Sequence, residues 1–96
     1  MASAAPEQWQ IIIHGHVQGV YFRASVKKFI QDEQLSLLGF VRNHNDGTVE
    51  VCAQGKREEL ERLLLYCQQG PRAARVENVE YFPQTPRSDF TKFEII

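Results

Sequence analysis

Apolar and polar residues alternate along Trp9 to His14, with Trp9, Ile11 and Ile13 on one side, and a period of two marks a β-strand. From Phe22 the period lengthens. Phe22, Val26, Phe29 and Ile30 recur at i, i+4, i+7 and i+8, while Lys27, Lys28, Gln31 and Asp32 fall between them. That spacing predicts an amphipathic helix ending near Gln34. Leu37 to His44 reads as a second strand, and Asn45-Asp46-Gly47 as a hairpin turn. Thr48 to Gln54 then returns as a third strand. Its Val49, Val51 and Ala53 share one face, and Thr48, Glu50, Cys52 and Gln54 share the other. Lys56 to Gln69 carries a second helical stripe of Leu60, Leu63, Leu64 and Cys67, stopped by Gly70-Pro71. Val76 to Phe82 predicts a fourth strand, Pro83 to Ser88 a loop, and Phe90 to Ile96 a short edge strand.

The order is strand, helix, strand, strand, helix, strand. One face of the third strand is polar, so helices should cover only one side of the sheet. The expected fold is therefore α+β, a ferredoxin-like split βαβ sandwich (βαββαβ) with an antiparallel sheet and two helices on one face. Residues 1–8 lack periodicity and read as a flexible N-terminal leader before a single domain over 9–96. A chain of 96 residues can hold such a core without disulfides or metal. Its two cysteines, Cys52 and Cys67, are expected on opposite sides of the sheet, unpaired and inert. A net charge of −1 argues against broad electrostatic attraction to nucleic acid or anionic membrane. No apolar run is long enough to span a bilayer or to form a signal peptide, so a cytoplasmic protein is expected.

Candidate chemistry concentrates between the first strand and first helix, in Gly15-His16-Val17-Gln18-Gly19-Val20-Tyr21-Phe22-Arg23. Glycines allow a turn tight enough for successive N–H groups to point inward. The helix start adds uncapped N–H groups and the positive end of a dipole, which suits an anion. Arg23 can close on phosphate oxygens with a planar, permanently charged fork. Two glycines and an arginine also fit a plain turn, and both readings stand at this level. The order required of a nucleoside-triphosphate loop is absent, as is the dinucleotide fingerprint.

Asn43, just before the hairpin turn, can orient a water without exchanging a proton, or simply begin the turn. The three histidines, His14, His16 and His44, lack a further partner at metal-ligand spacing, so no metal site is expected. No nucleophile with its base can be found, and no general acid. A phosphate cradle with an arginine and an amide suits a substrate whose leaving group departs unprotonated, such as a carboxylate of pKa about 4. A mixed carboxylic–phosphoric anhydride meets that requirement; an ordinary phosphate ester does not.

The run Gly15 to Arg23 closely resembles the signature of the acylphosphatase family. Gly39-Phe40-Val41-Arg42-Asn43, Asp46-Gly47-Thr48-Val49-Glu50, Gly55, Gly70-Pro71, Ala74 and Val76 extend the similarity over roughly residues 9–96. The resemblance implies a split βαβ fold and hydrolysis of an acyl phosphate to carboxylate and phosphate, without metal or cofactor. It implies that Arg23 binds the substrate phosphate together with loop N–H groups of His16, Val17, Gln18, Gly19, Val20 and Tyr21. It also implies that Asn43 holds the attacking water and that the substrate's own phosphate helps take the water's proton. The expected partner is a small acyl phosphate, with phosphate or sulfate able to occupy the site; no nucleic acid or membrane is expected, and the chain should be a monomer.

Three features depart from the family pattern. The segment between Arg23 and Asn43 is slightly longer, and Ser36 stands where a glycine commonly ends the first helix. The chain finishes Ile95-Ile96 where relatives often carry a basic residue, a change expected to bear on the edge strand more than on the site. Two other classes compete with the hydrolase. One is a non-catalytic anion-binding module; the other is an RNA-binding domain of the same topology, disfavoured because the open face is expected to lack a basic and aromatic set.

Overall fold

In the first strand the side chains alternate between two environments, and that alternation organises the molecule. The computed structural model describes residues 5–96. β1 spans Glu7–His16, α1 Phe22–Asp32, β2 Leu38–Asn43, β3 Val49–Gly55, α2 Arg57–Gln69, β4 Arg75–Gln84 and β5 Phe93–Ile95. The strands form one sheet in the order β4-β1-β3-β2-β5. All neighbouring pairs are antiparallel except β2 and β5, which run parallel. The split βαβ arrangement holds, with β5 appended as an edge strand that makes the sheet mixed.

α1 lies over β2 and β5, and α2 over β1, β3 and β4. Between helices and sheet sit Ile11, Ile13, Val26, Val41, Val49, Val51, Leu60, Leu63 and Cys67, all fully buried. These are the residues that the two periodicities select. Each removes roughly 1.5–3 kcal/mol of apolar exposure from water, an upper estimate against an extended chain. Burial also pushes the Cys67 thiol up to about 12, which leaves it inert.

The opposite face of the sheet is polar but not bare. Glu50 is only 5% exposed. It accepts from Gln10 Nε2 at 2.8 Å and Arg42 Nε at 2.8 Å, and meets His44 Nε2 at 2.7 Å. Burial pulls its pKa upward, but these hydrogen bonds outweigh that and hold it below the usual glutamate value. Cys52 points to this face, as expected, yet is buried beneath Gln8 Nε2 at 3.3 Å. The loop after β4 folds across the same side, where Gln54 Nε2 donates to the Arg87 carbonyl and Phe90 meets Phe40 edge-on.

Element boundaries differ from the sequence reading mainly at β1, at β4 and at β5, which spans Phe93–Ile95 and not Phe90 to Ile96. β1 begins at Glu7, so Glu7 and Gln8 belong to the sheet, paired with Gly55 and Gln54, and not to a leader. Residues 1–4 of the expected leader lie outside the described residues. β1 also runs two residues past His14, through a register shift at Gly15, where it pairs with Val76 and Arg75. Gly15 has φ +131, and a Cβ there would lie 2.1 Å from the Arg75 carbonyl oxygen, so only glycine fits this crossing. β4 continues through Pro83, which an edge strand tolerates because its missing N–H is not needed by a second neighbour.

Candidate active site

The loop between β1 and α1 is held by its own side chains. Val17 and Val20 are buried in the core, at 1% and 7% exposure. Gln18, between them, reaches the β2–β3 connection and donates through Nε2 to the carbonyls of His44 at 2.6 Å and Thr48 at 2.9 Å. Gly19 turns the chain with φ +73, in open space. Tyr21 is left-handed as well, at φ 63 and ψ 24, and forms the N-cap of α1. A non-glycine residue in that region costs about 1–2 kcal/mol, so the surrounding anchors must impose it.

The two helix starts contrast electrostatically. α2 carries Glu58 and Glu59 in its first turn, where carboxylates offset the positive end of the dipole. α1 has no acidic residue in its first turn and no side-chain cap. Its leading N–H groups are thus left without a side-chain partner, an arrangement that suits an anion. Arg23 stands in this turn. Arg42, Arg57, Arg62 and Arg87 each pair with a carboxylate, whereas Arg23, like Arg72 and Arg75, pairs with none among the described residues.

Sheet register brings Asn43 to the same place. Ile13 pairs with Val49, and Val49 pairs with Asn43, so the three residues lie in line across β1, β3 and β2. Directly opposed residues share a face. Ile13 and Val49 point into the core, so Asn43 points to the helix side too, at the sheet end where the loop emerges. The β2–β3 connection that follows is fixed by Asp46, whose Oδ1 accepts from the Thr48 N–H at 2.9 Å and its hydroxyl at 2.7 Å. These bonds hold the Asp46 carboxyl below its ordinary pKa. The Gln18 bridge joins this connection to the loop, so Asn43 and the loop are held as one unit.

A cleft of about 410 Å³ opens there, lined by Val17, Gly19, Tyr21, Phe22, Arg23, Ala24, Asn43 and Ile95. Of the residues expected at the site, Val17, Gly19, Tyr21, Arg23 and Asn43 line it. Val20 and Gln18 send their side chains elsewhere, as anchors. His16 ends β1 opposite Arg75 and borders a separate shallow depression with His14, Asp46 and Glu77.

Ile95 changes the expectation for the chain's last residues. It pairs with Val41, two residues before Asn43, and the pair shares the helix-side face, so Ile95 reaches the cleft as well as closing the edge. Within the segment from Arg23 to Asn43, α1 closes before Ser36. Gln34, not Ser36, takes the left-handed conformation at φ 55. The N–H of Leu35 returns to the Ile30 carbonyl at 2.9 Å and that of Gln34 to the Gln31 carbonyl at 3.1 Å, which makes a Schellman end. No lining residue of the cleft is a carboxylate or a histidine.

On the sheet's other face, aromatic and basic residues are present after all, as Phe40, Arg42 and Phe82. They stand on β2 and β4, whereas the central β1 and β3 carry Gln8, Gln10, Glu50, Cys52 and Gln54. A buried carboxylate in the middle of that surface opposes binding of a nucleic-acid backbone.

Comparison with known proteins agrees with this geometry. The family model described as Acylphosphatase matches residues 9–95. An acylphosphatase of Pelotomaculum thermopropionicum is 42% identical over 85 residues, covering 88% of this chain and 90% of that protein. One of Cupriavidus necator is 46% identical over 88 residues, covering 92% and 91%. Among solved structures, an acylphosphatase from Bacillus subtilis superposes with a TM-score of 0.86 at 29% identity, covering 94% of this chain and 98% of the other. One from Coxiella burnetii gives 0.85 at 34%, covering 95% and 93%. The chain belongs to the acylphosphatase family.

Proposed function

We propose that this cleft hydrolyses acyl phosphates to a carboxylate and phosphate, with Arg23 and Asn43 as the residues that touch the reacting groups. The observation that carries this reading is their convergence. An unpaired arginine and an amide, distant in sequence, open onto one cleft at the uncapped start of α1. The phosphoryl oxygens are held by loop N–H groups from Val17 to Tyr21 and by the Arg23 fork. Backbone of His16 belongs to the same run, at its strand end. Donors already fixed in place gain strength as charge develops on those oxygens.

Asn43 accepts a hydrogen bond from a water and directs its oxygen at phosphorus. As the new P–O bond forms, the bond from phosphorus to the acyl oxygen breaks, and its electron pair leaves on the carboxylate. With a pKa of about 4, that carboxylate needs no proton at neutral pH. The water's proton passes to a phosphoryl oxygen of the substrate, which suits a cleft lined by no carboxylate or histidine. No residue need form a covalent intermediate, and the chemistry rests on positioning and charge. Inorganic phosphate or sulfate fits the same cradle as product or product mimic. No helix among the described residues is long and apolar enough to cross a membrane. We place the protein in the cytoplasm as a monomer acting on a small acyl phosphate.

Benzoyl phosphate tests the reading directly. Turnover is expected, unchanged by a chelator, and Asn43→Ala should lower kcat by about a hundredfold while inhibition by phosphate persists. Phosphate binding without any turnover would instead identify a non-catalytic anion module.

A further inference from the structure

Asn43 faces the helix side of the sheet, while the residues before and after it turn to the other face and meet one atom there. Successive strand residues alternate between faces. Arg42 therefore stands opposite Glu50 on the open face, and the chain returns to that face at His44. Glu50 Oε1 accepts from Arg42 Nε at 2.8 Å and lies 2.7 Å from His44 Nε2. Its carboxyl is held below the usual glutamate pKa, so at neutral pH it is ionised and can only accept. His44 Nε2 is thus the nitrogen that carries the shared proton. Gln10 Nε2, from β1, occupies the second oxygen, Oε2, at 2.8 Å. One buried carboxylate grips the chain on both sides of Asn43.

Closing the β2–β3 turn does not require this grip. The His44 N–H already reaches the Thr48 carbonyl at 2.9 Å, the Gly47 N–H reaches the His44 carbonyl at 3.1 Å, and Asp46 holds Thr48. Stability is a poor reason for it as well. Desolvation offsets much of what a buried carboxylate gains from its partners, and an apolar side chain of similar size often stabilises as much or more. What the grip supplies is orientation. β5 pairs with Gly39 to Val41 only, so Asn43 has a strand neighbour on one side alone, β3. A twist of this strand end about its own axis would swing the Asn43 amide one way, and Arg42 and His44 the other, off Glu50. Two bonds to one oxygen, from either side of Asn43, resist that twist. A misplacement of about 1 Å at a reacting group can lower a rate by about a hundredfold.

We infer that Glu50, acting through Arg42 and His44, is a positioning residue that aims the Asn43 amide at the attacking water from the opposite face of the sheet. The inference rests on the acyl phosphate hydrolase reading and adds to it residues that do not touch substrate, since neither Glu50 nor His44 lines the cleft. Their contribution falls on turnover. Phosphate is held by Arg23 and the loop N–H groups, and that loop is anchored separately by the buried Val17 and Val20.

The test measures kcat for benzoyl phosphate and inhibition by inorganic phosphate in the native protein, Glu50→Leu, Glu50→Gln and His44→Ala, and repeats Glu50→Leu and His44→Ala in an Asn43→Ala background. Glu50→Leu removes both bonds and should lower kcat by about tenfold or more, with phosphate inhibition kept within about twofold. Glu50→Gln retains an acceptor oxygen and should recover most of that loss. His44→Ala removes one arm of the grip at a half-buried position and should lower kcat by about threefold. It decides the matter alone if Glu50→Leu does not fold. With Asn43 already replaced, either change should alter kcat by less than about twofold, because the amide it aims is gone. Unaltered kcat in the folded variants, or an equal loss with Asn43 present and absent, would overturn the positioning role and leave the hydrolase standing. Loss of phosphate inhibition in step with kcat would do the same, since the grip would then support the whole site. A native protein that binds phosphate but does not hydrolyse benzoyl phosphate would overturn both.

Discussion

The two ends of α1 carry the same unusual backbone feature for opposite reasons. Tyr21 at the start and Gln34 just past the end are the two non-glycine residues with positive φ among the described residues. At the exit, the left-handed turn satisfies backbone carbonyls internally: Leu35 and Gln34 return their N–H groups to Ile30 and Gln31, and Leu35 packs down with Ile30. At the entry, the turn leaves backbone groups without internal partners, because α1 has neither a side-chain cap nor an acidic first turn. One distortion closes a helix; the other leaves a helix start open. Backbone strain alone therefore identifies no site. Its meaning depends on whether the neighbouring polar groups are already satisfied.

Three substitutions test that contrast, beginning with the largest effect. Arg23→Ala should lower kcat/KM for benzoyl phosphate by a hundredfold to a thousandfold and weaken phosphate inhibition, on the scale of a lost transition-state donor. Its melting temperature should change little, since Arg23 pairs with no carboxylate among the described residues. Near-native activity would remove the entry end from the mechanism. Tyr21→Gly should relieve the strain at the entry yet lower turnover by about tenfold, because glycine samples many conformations that tyrosine cannot and loosens the cradle. Steady-state kinetics beside thermal melting would expose the divergence, and a gain in both would mean that the imposed geometry serves no purpose. Gln34→Gly should raise stability by about 0.5–1 kcal/mol and leave kinetics unaltered, the gain being the removed left-handed cost less the extra entropy of an unfolded glycine. A turnover loss comparable with that of Tyr21→Gly would show that the helix ends cannot be separated.

Much of this was legible in the sequence because it is local. The periods of two and 3.6 residues assigned the strands and helices, and chose Ile11, Ile13, Val26, Val49 and Leu60 for the core. Gly15 to Arg23 announced a loop meeting a helix start with an arginine waiting. Errors fell where a longer-range partner decides. Gly15 reads as the start of a loop by composition, but β4 offers it a strand partner, so β1 continues to His16. Glu7 and Gln8 carry no apolar pattern, yet Gly55 and Gln54 hold them in the sheet. The polar face of β3 reads as solvent-exposed, whereas Glu50 is covered by Gln10, Arg42 and His44 from neighbouring strands.

The sequence by itself determined most of the elements, the fold class and the residues of the candidate anion loop, since each depends on residues within one strand or one turn of helix. Tertiary structure brought the other lining residues to it. Asn43 could have been a turn residue and Ile95 an edge residue until strand pairing aligned Asn43 with Val49 and Ile13, and Ile95 with Val41. The same assembly left α1 uncapped at the sheet end where these residues meet. Pairing between distant strands is set by the fit of whole faces and ladders, a property that no single segment carries. That is why the candidate cradle could be found along the chain, while the amide and the isoleucine that line the same cleft emerged only from the folded sheet.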